Sequence, residues 1–235
     1  MKYKNIKAAE FICRPNRFIA KVRIDGNDET VHVKNTGRCR ELLTEGCTVY
    51  LEESDNLSRK TKYDLVAVEK LRSGKPPLLV NMDSQIPNAA VGEWLRKGEL
   101  FSTQAVIRRE FTYGESRFDF RIEDGGKVSF LEVKGVTLEN DGIASFPDAP
   151  TERGVKHIHE LIRAHKEGFG AYILFVVQMK EIREFRPNDT THRAFGDALR
   201  LAEREGVKIL AYDCIVTPDS MTIDKPIPIR TELNI

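Results

Sequence analysis

The chain has 235 residues, 40% hydrophobic and 31% charged, with a net charge of +1. That balance suits a soluble globular protein of one or two domains and excludes a disordered chain. No apolar run reaches membrane-spanning length and the first five residues lack the apolar core of a secretory signal, so a cytoplasmic location without membrane partners is expected. The four cysteines, Cys13, Cys39, Cys47 and Cys214, form no Cys-x-x-Cys pair and read as buried or incidental thiols. Residues 1–85 carry 16 Lys+Arg against 12 Asp+Glu, while the remaining 150 carry 21 against 24. A basic front and a mildly acidic rear suit a nucleic-acid platform joined to a metal-binding core, although ordinary scatter of surface charge gives the same numbers.

In chain order, residues 17–24 alternate apolar and polar side chains and are followed by the turn Asp25-Gly26-Asn27-Asp28. Short strands are predicted over 30–33, 48–52, 63–70 and 78–80, which makes residues 1–85 a small OB-like β-barrel. Asn35-Thr-Gly-Arg38-Cys-Arg40-Glu-Leu42 interrupts this pattern as a turn leading into a short helical stretch, and Pro76-Pro77 falls in the segment leading out of the barrel. From residue 86 to 235 the rhythm changes. A helix is predicted over 88–97, with Ala90, Val91, Trp94 and Leu95 at helical spacing and Gly98 as its stop. Strands follow over 101–111, 117–122 and 128–133, the last two joined by the hairpin signal Glu123-Asp124-Gly125-Gly126. A helix over 151–166, a buried strand over 171–178, a helix over 191–205 and a strand over 207–216 complete a mixed α/β (α+β) second domain.

The chemistry concentrates on two adjacent strands, in Arg117-Phe-Asp119-Phe and Glu132-Val-Lys134. Side chains alternate along a strand, so Glu132 and Lys134 share a face, and Asp119 lies near Glu132 across the hairpin if the register allows. Two close carboxylates resist joint ionisation, and a divalent cation relieves that repulsion. Hard oxygen donors with retained water suit Mg²⁺ or Mn²⁺, which activates water and stabilises charge on a phosphate, with Lys134 assisting. The alternative is a surface hairpin with a salt bridge. At the next helix, Asp148 or Thr151 can cap an N-terminus that attracts phosphate. Glu152 with Lys156, and Arg153 with His157, are one turn apart. Packed on the sheet, that helix aims Glu152, Lys156 or His157 at the metal site, or else carries a salt bridge and a surface histidine. In the front domain Arg38 and Arg40 are the best phosphate contacts, with Arg14 and Arg17 extending the surface, and Arg117 and Arg153 are further nucleic-acid contacts beside the carboxylates. Phe18 is either a stacking platform or barrel core. No Gly-x-Ser-x-Gly, Walker or Rossmann glycine loop, helix-turn-helix or zinc finger occurs.

The order helix, three strands, helix, strand resembles the αβββαβ core of PD-(D/E)xK nucleases. In that superfamily the first core helix often supplies a metal ligand, which here is Glu93, against its reading as a solvated helix charge. Phe118 stands where the superfamily has proline, and its Gln-x-x-x-Tyr helix motif is absent. More specifically, residues 35–42, 116–120, 131–138 and the block Phe146-Pro-Asp-Ala-Pro-Thr-Glu-Arg-Gly-Val-Lys-His157 resemble, in order, the sugar fermentation stimulation protein A (SfsA) family. The resemblance implies an OB-like domain, a PD-(D/E)xK-like domain and metal-dependent nuclease activity on DNA or RNA. It also implies the alternative of a non-catalytic DNA-binding regulator of sugar utilisation genes.

Overall fold

The computed structural model describes residues 1–233 apart from 36 and 57, and six strands occupy its first 81 residues. They are β1 (Ile6–Cys13), β2 (Ile19–Ile24), β3 (Asn27–Val33), β4 (Thr48–Glu53), β5 (Tyr63–Arg72) and β6 (Lys75–Asn81), in the order β3-β2-β1-β4-β5-β6. β3 also pairs in parallel with β5, His32 opposite Asp64 and Val33 opposite Leu65, which closes the first five strands into an OB-like barrel. Alternation builds it: Ala20, Val22 and Ile24 point inward from β2 while Lys21 and Arg23 face water. Asp25 and Gly26 take φ of 50° and 81°, the left-handed pair that a two-residue hairpin between twisted strands requires.

Two expectations for this region are corrected. Pro76 and Pro77 belong to β6, an edge strand whose register against β5 shifts opposite them, and edges and bulges are where a sheet accepts proline. The stretch after Asn35 is a turn rather than a helix: Leu42 and Leu43 N–H both donate to Cys39 O, at 3.3 and 3.0 Å, and the φ of 46° at Cys39 stops helical propagation. Thr36 of that stretch lies outside the described residues.

The second part begins with α1 (Ile86–Arg96), followed by β7 (Val106–Tyr113), β8 (Ser116–Asp124), β9 (Lys127–Val136), β10 (Leu138–Asn140) and β11 (Ile143–Phe146). α2 (Glu152–Lys166), β12 (Gly170–Val177), β13 (Glu184–Pro187), α3 (Asp189–Arg204), β14 (Lys208–Thr217) and β15 (Ser220–Pro226) complete it. The main sheet runs β15-β14-β12-β9-β8-β7, and β9, β12 and β14 are parallel neighbours at its centre. The crossover from β9 to β12 is α2, as parallel pairing demands. α1 covers one face through Val91, Trp94 and Leu95, whereas α2 and α3 cover the other through Ile158, Leu161, Phe195 and Leu199. β10, β11 and β13 form a small separate sheet. These strands, of three or four residues, are too short to give periodicity in the sequence.

The barrel is fixed to the second part by a buried polar network. Gln178, just after β12, donates through Nε2 to Asn81 O at 3.0 Å and Asp83 O at 3.2 Å, and Asn81 N–H donates back to Gln178 O at 3.0 Å. Lys70 reaches from β5 to the Glu139 carbonyl at 2.6 Å. Among the described residues no helix is long and apolar enough to cross a membrane.

Candidate metal centre

Gly125 and Gly126, at φ of 56° and 80°, turn β8 tightly into β9 and fix the register at Asp124 opposite Lys127 through Phe120 opposite Leu131. Continuing that register puts Asp119 opposite Glu132. The backbone ladder stops one residue short, because the Asp119 carboxylate takes over: Oδ2 accepts from Val133 N–H at 2.7 Å. Oδ1 accepts from the Asn88 side chain of α1, also at 2.7 Å. The two strands therefore part at Asp119. Phe118 packs on the α2 side of the sheet and Phe120 on the α1 side, both fully buried, so β8 rotates between them.

Glu132 is buried on the α2 face. Its Oε1 accepts from Lys134 Nζ at 2.7 Å and from Nδ1 of His157, a buried residue of α2. The Arg153 Nε–H donates to the other ring nitrogen, His157 Nε2, at 3.3 Å, so Nδ1 is the ring nitrogen that donates to Glu132. Glu132 Oε2 is buried with no hydrogen-bond partner among the described residues. An orphaned carboxylate oxygen in the interior is costly and calls for a cation or a donor.

The two carboxylates are driven apart electrostatically. Burial pushes Asp119 above the ordinary aspartate range and the negative charge of Glu132 adds to it, against the opposing Val133, Asn88 and Lys134. Burial acts on Glu132 too, but the His157 hydrogen bond and the charge of Lys134 outweigh it and hold that carboxyl below its ordinary value. Among the described residues no three His, Cys, Asp or Glu side chains gather as a complete cage. What remains is two carboxylates with one free oxygen, a hard donor set that fits an oxygen-loving divalent cation retaining water in its other positions.

Six sequence expectations receive corrections or new settings. Glu93 is 52% exposed and pairs with the N-terminal ammonium of Met1 at 2.6 Å; it does not join the carboxylates. It sits roughly 130° around the helix from the centre of the buried Ala90, Val91, Trp94, Leu95 stripe, and Asn88 is the α1 residue that meets Asp119. Glu152 is 87% exposed and pairs with His192 at 3.1 Å, at the start of α2. Lys156 pairs with Glu115 in the β7–β8 turn at 3.1 Å, on the outward side of the helix. Of that trio only His157 enters the site, because it shares the buried face of α2 with Ile158 and Leu161. Thr151 rather than Asp148 caps α2, its Oγ1 accepting from Gly154 N–H at 3.1 Å. Arg117 is exposed on β8 and pairs with Glu110 at 3.4 Å, and Arg153 is exposed above His157. Asn88 and the Val133 N–H were missed: an amide and a backbone donor carry no distinctive sequence signal.

On the barrel, Arg38 and Arg40 line a groove of about 490 Å³ together with Arg14 and Arg17. Arg14 is structural: its guanidinium donates to the carbonyls of Asn35, Gly37, Arg38 and Arg17 at 2.6 to 2.9 Å. Arg17, Arg38 and Arg40 are exposed.

A closed OB-like barrel followed by an α+β domain, with paired carboxylates where two strands separate, defines a two-domain class of protein. Two family models divide the chain in the same way: the SfsA N-terminal OB domain matches residues 12–74, and the sugar fermentation stimulation protein RE domain matches residues 85–220. The chain belongs to the SfsA family. It is 58% identical over 221 residues to a sugar fermentation stimulation protein homolog of Desulfitobacterium hafniense, covering 94% of each chain. It is 55% identical over 223 residues to that of Clostridium beijerinckii, covering 95% of this chain and 96% of the other. The solved structure of Pyrococcus furiosus SfsA in complex with Ca²⁺ matches with a TM-score of 0.82 at 26% identity, over 98% of both chains.

Proposed function

We propose that this protein is a metal-dependent nuclease that hydrolyses phosphodiester bonds of DNA or RNA. The observation that carries the reading is the orphaned Oε2 of Glu132, on the residue that the strand register sets opposite Asp119, where β8 and β9 part. Asp119 and Glu132 would hold Mg²⁺ or Mn²⁺, and the complex of Pyrococcus furiosus SfsA with Ca²⁺ supports a divalent ion in this fold. Such a cation, when bound, supplies activation of water and neutralisation of phosphate charge. The protein's own residues set the geometry. Asn88 and the Val133 N–H orient Asp119, and His157 and Lys134 hold Glu132 by one oxygen so that the other stays free. Lys134 keeps a positive charge beside the carboxylates, where it offsets charge gained by the phosphate. Arg153, exposed over His157, would meet a phosphate of the bound strand.

The test is incubation of pure protein with single- and double-stranded DNA and RNA, with Mg²⁺ or Mn²⁺ and with EDTA. Cleavage that needs the metal and disappears in Asp119→Asn and Glu132→Gln is expected. Cleavage that survives both EDTA and Asp119→Asn, or no cleavage of any substrate, overturns the reading; in the latter case a binder or regulator remains.

A further inference from the structure

We infer that the barrel groove guides an unpaired polynucleotide strand, with phosphates on Arg17, Arg38 and Arg40 and a base stacked on Phe18. The inference rests on the nucleic-acid substrate proposed above and specifies that its strand is unpaired.

The groove has two walls, residues 14–17 entering β2 and residues 37–43 following β3. Arg14 ties them together by donating to carbonyls on both sides, so the shape is built into the fold rather than left to mobile side chains. That leaves Arg17, Arg38 and Arg40 exposed at the groove, and among the described residues none of the three pairs with a carboxylate. Three uncompensated guanidiniums around one groove make a site for a polyanion.

Phe18 supplies the second, independent observation. It is 55% exposed, and it is the one aromatic among the large exposed apolar side chains of the described residues. The barrel-core reading of Phe18 is therefore excluded. The backbone that carries it is held in place: Asn16 Oδ1 accepts from the N–H of Phe18 at 2.9 Å and of Ile19 at 3.1 Å, and Val33 N–H donates to Phe18 O at 2.8 Å. An exposed aromatic next in the chain to Arg17 of the groove matches how single strands are held, by base stacking together with backbone charge. A duplex keeps its bases stacked on one another and offers Phe18 no free face.

The groove adjoins the segment entering α2. Gly37 abuts Asp148, so closely that a Cβ there would fall 2.2 Å from Asp148 Oδ2, and Asp148 lies in the segment entering α2. A cavity of about 100 Å³ is lined by Asn35, Asp148 and Gly135. The carboxylate of Asp148 repels phosphate, which leaves the arginine wall as the track for the backbone.

The experiment is binding by fluorescence anisotropy in EDTA, so that cleavage plays no part and failure of the nuclease reading leaves the result intact. The probes are labelled single-stranded DNA, single-stranded RNA and the matched duplexes, each longer than the roughly 4–16 nucleotides that an OB fold spans. Single strands of DNA or RNA are expected to bind at least about tenfold tighter than duplex, and the stronger arm names the sugar. Phe18→Ala is expected to weaken single-strand binding about 5- to 150-fold, with Phe18→Trp restoring it and melting temperatures unchanged. Arg38→Gln with Arg40→Gln should make the plot of log affinity against log salt shallower by about 1.4. Equal affinity for duplex, no loss in Phe18→Ala, or equal competition by poly-glutamate overturns the inference.

Discussion

His157 in α2 and Glu132 in β9 are joined directly, the imidazole Nδ1 donating to carboxylate Oε1. Lys134 donates to that same oxygen from the same strand, at 2.7 Å. The two donors leave Oε2 as the free face of the carboxylate. The packing of one helix against the sheet therefore decides which carboxylate oxygen is available.

Removing His157 should loosen that orientation. In His157→Ala, the affinity for Mn²⁺ measured by titration calorimetry should fall about 10- to 100-fold, as loss of a partner behind a metal ligand commonly does. His157→Asn, which retains a donor, should recover part of the loss. Unchanged Mn²⁺ affinity in His157→Ala would show that the histidine is only packing.

Asn88 and Glu93 lie on the same helix and should behave in opposite ways. Asn88→Ala leaves a buried carboxylate short of a donor, so stability to urea should fall by about 1–3 kcal/mol and cleavage should fall with it. Glu93→Gln removes only an exposed ion pair with Met1, worth about 1 kcal/mol at most, and should leave Mn²⁺ affinity unchanged. A Glu93→Gln variant that lost its metal would restore Glu93 as a ligand.

Gly135 is held tightly between two layers. A Cβ there would lie 2.6 Å from Gln178 Oε1 and 2.9 Å from Pro87 Cγ. Neither can yield easily, since Gln178 is buried and bonded to Asn81 and Asp83, and Pro87 is a rigid ring in α1. Gly135→Ala should therefore cost about 1–3 kcal/mol in a denaturant titration, as overpacking does, and displace Asn88 through Pro87. An Ala variant as stable as the parent would mean that this junction is looser than its packing indicates.

Acid stability should carry the signature of Asp64. Burial pushes its carboxyl upward, but the hydrogen bonds from Arg59 and Lys34 and the charge of Lys34 prevail and hold it at about 2. A folded value below the unfolded one stabilises the protein fully above about pH 4, and the contribution disappears as pH falls towards 2. Asp64→Asn should remove up to about 2 kcal/mol near neutrality and flatten the decline in melting temperature between pH 4 and pH 2. A parent-like acid profile in Asp64→Asn would exclude this network as its source.

Much of this molecule is legible locally. Two-residue periodicity with the Asp25-Gly26 and Gly125-Gly126 turns specifies hairpins, because left-handed φ at both positions suits the strand twist. The same hairpin arithmetic puts Asp119 opposite Glu132 and sets Lys134 on the face of Glu132. Helical spacing also contained the rotation of α1: its apolar stripe already turned Glu93 away. Short strands such as β10 and β13 left no pattern, since three or four residues cannot display a period.

By itself, then, the sequence determined the barrel's alternation, the hairpin carrying the carboxylates and the helix that follows it. Only the tertiary structure decided that Asn88 and the Val133 N–H receive Asp119, that His157 rather than Glu152 or Lys156 reaches Glu132, and that Phe18 stands in water beside the arginines. Those choices depend on contacts between residues far apart in the chain, where the packing angle of a helix on a sheet selects which side chain points inward. No local pattern of residue types encodes that angle.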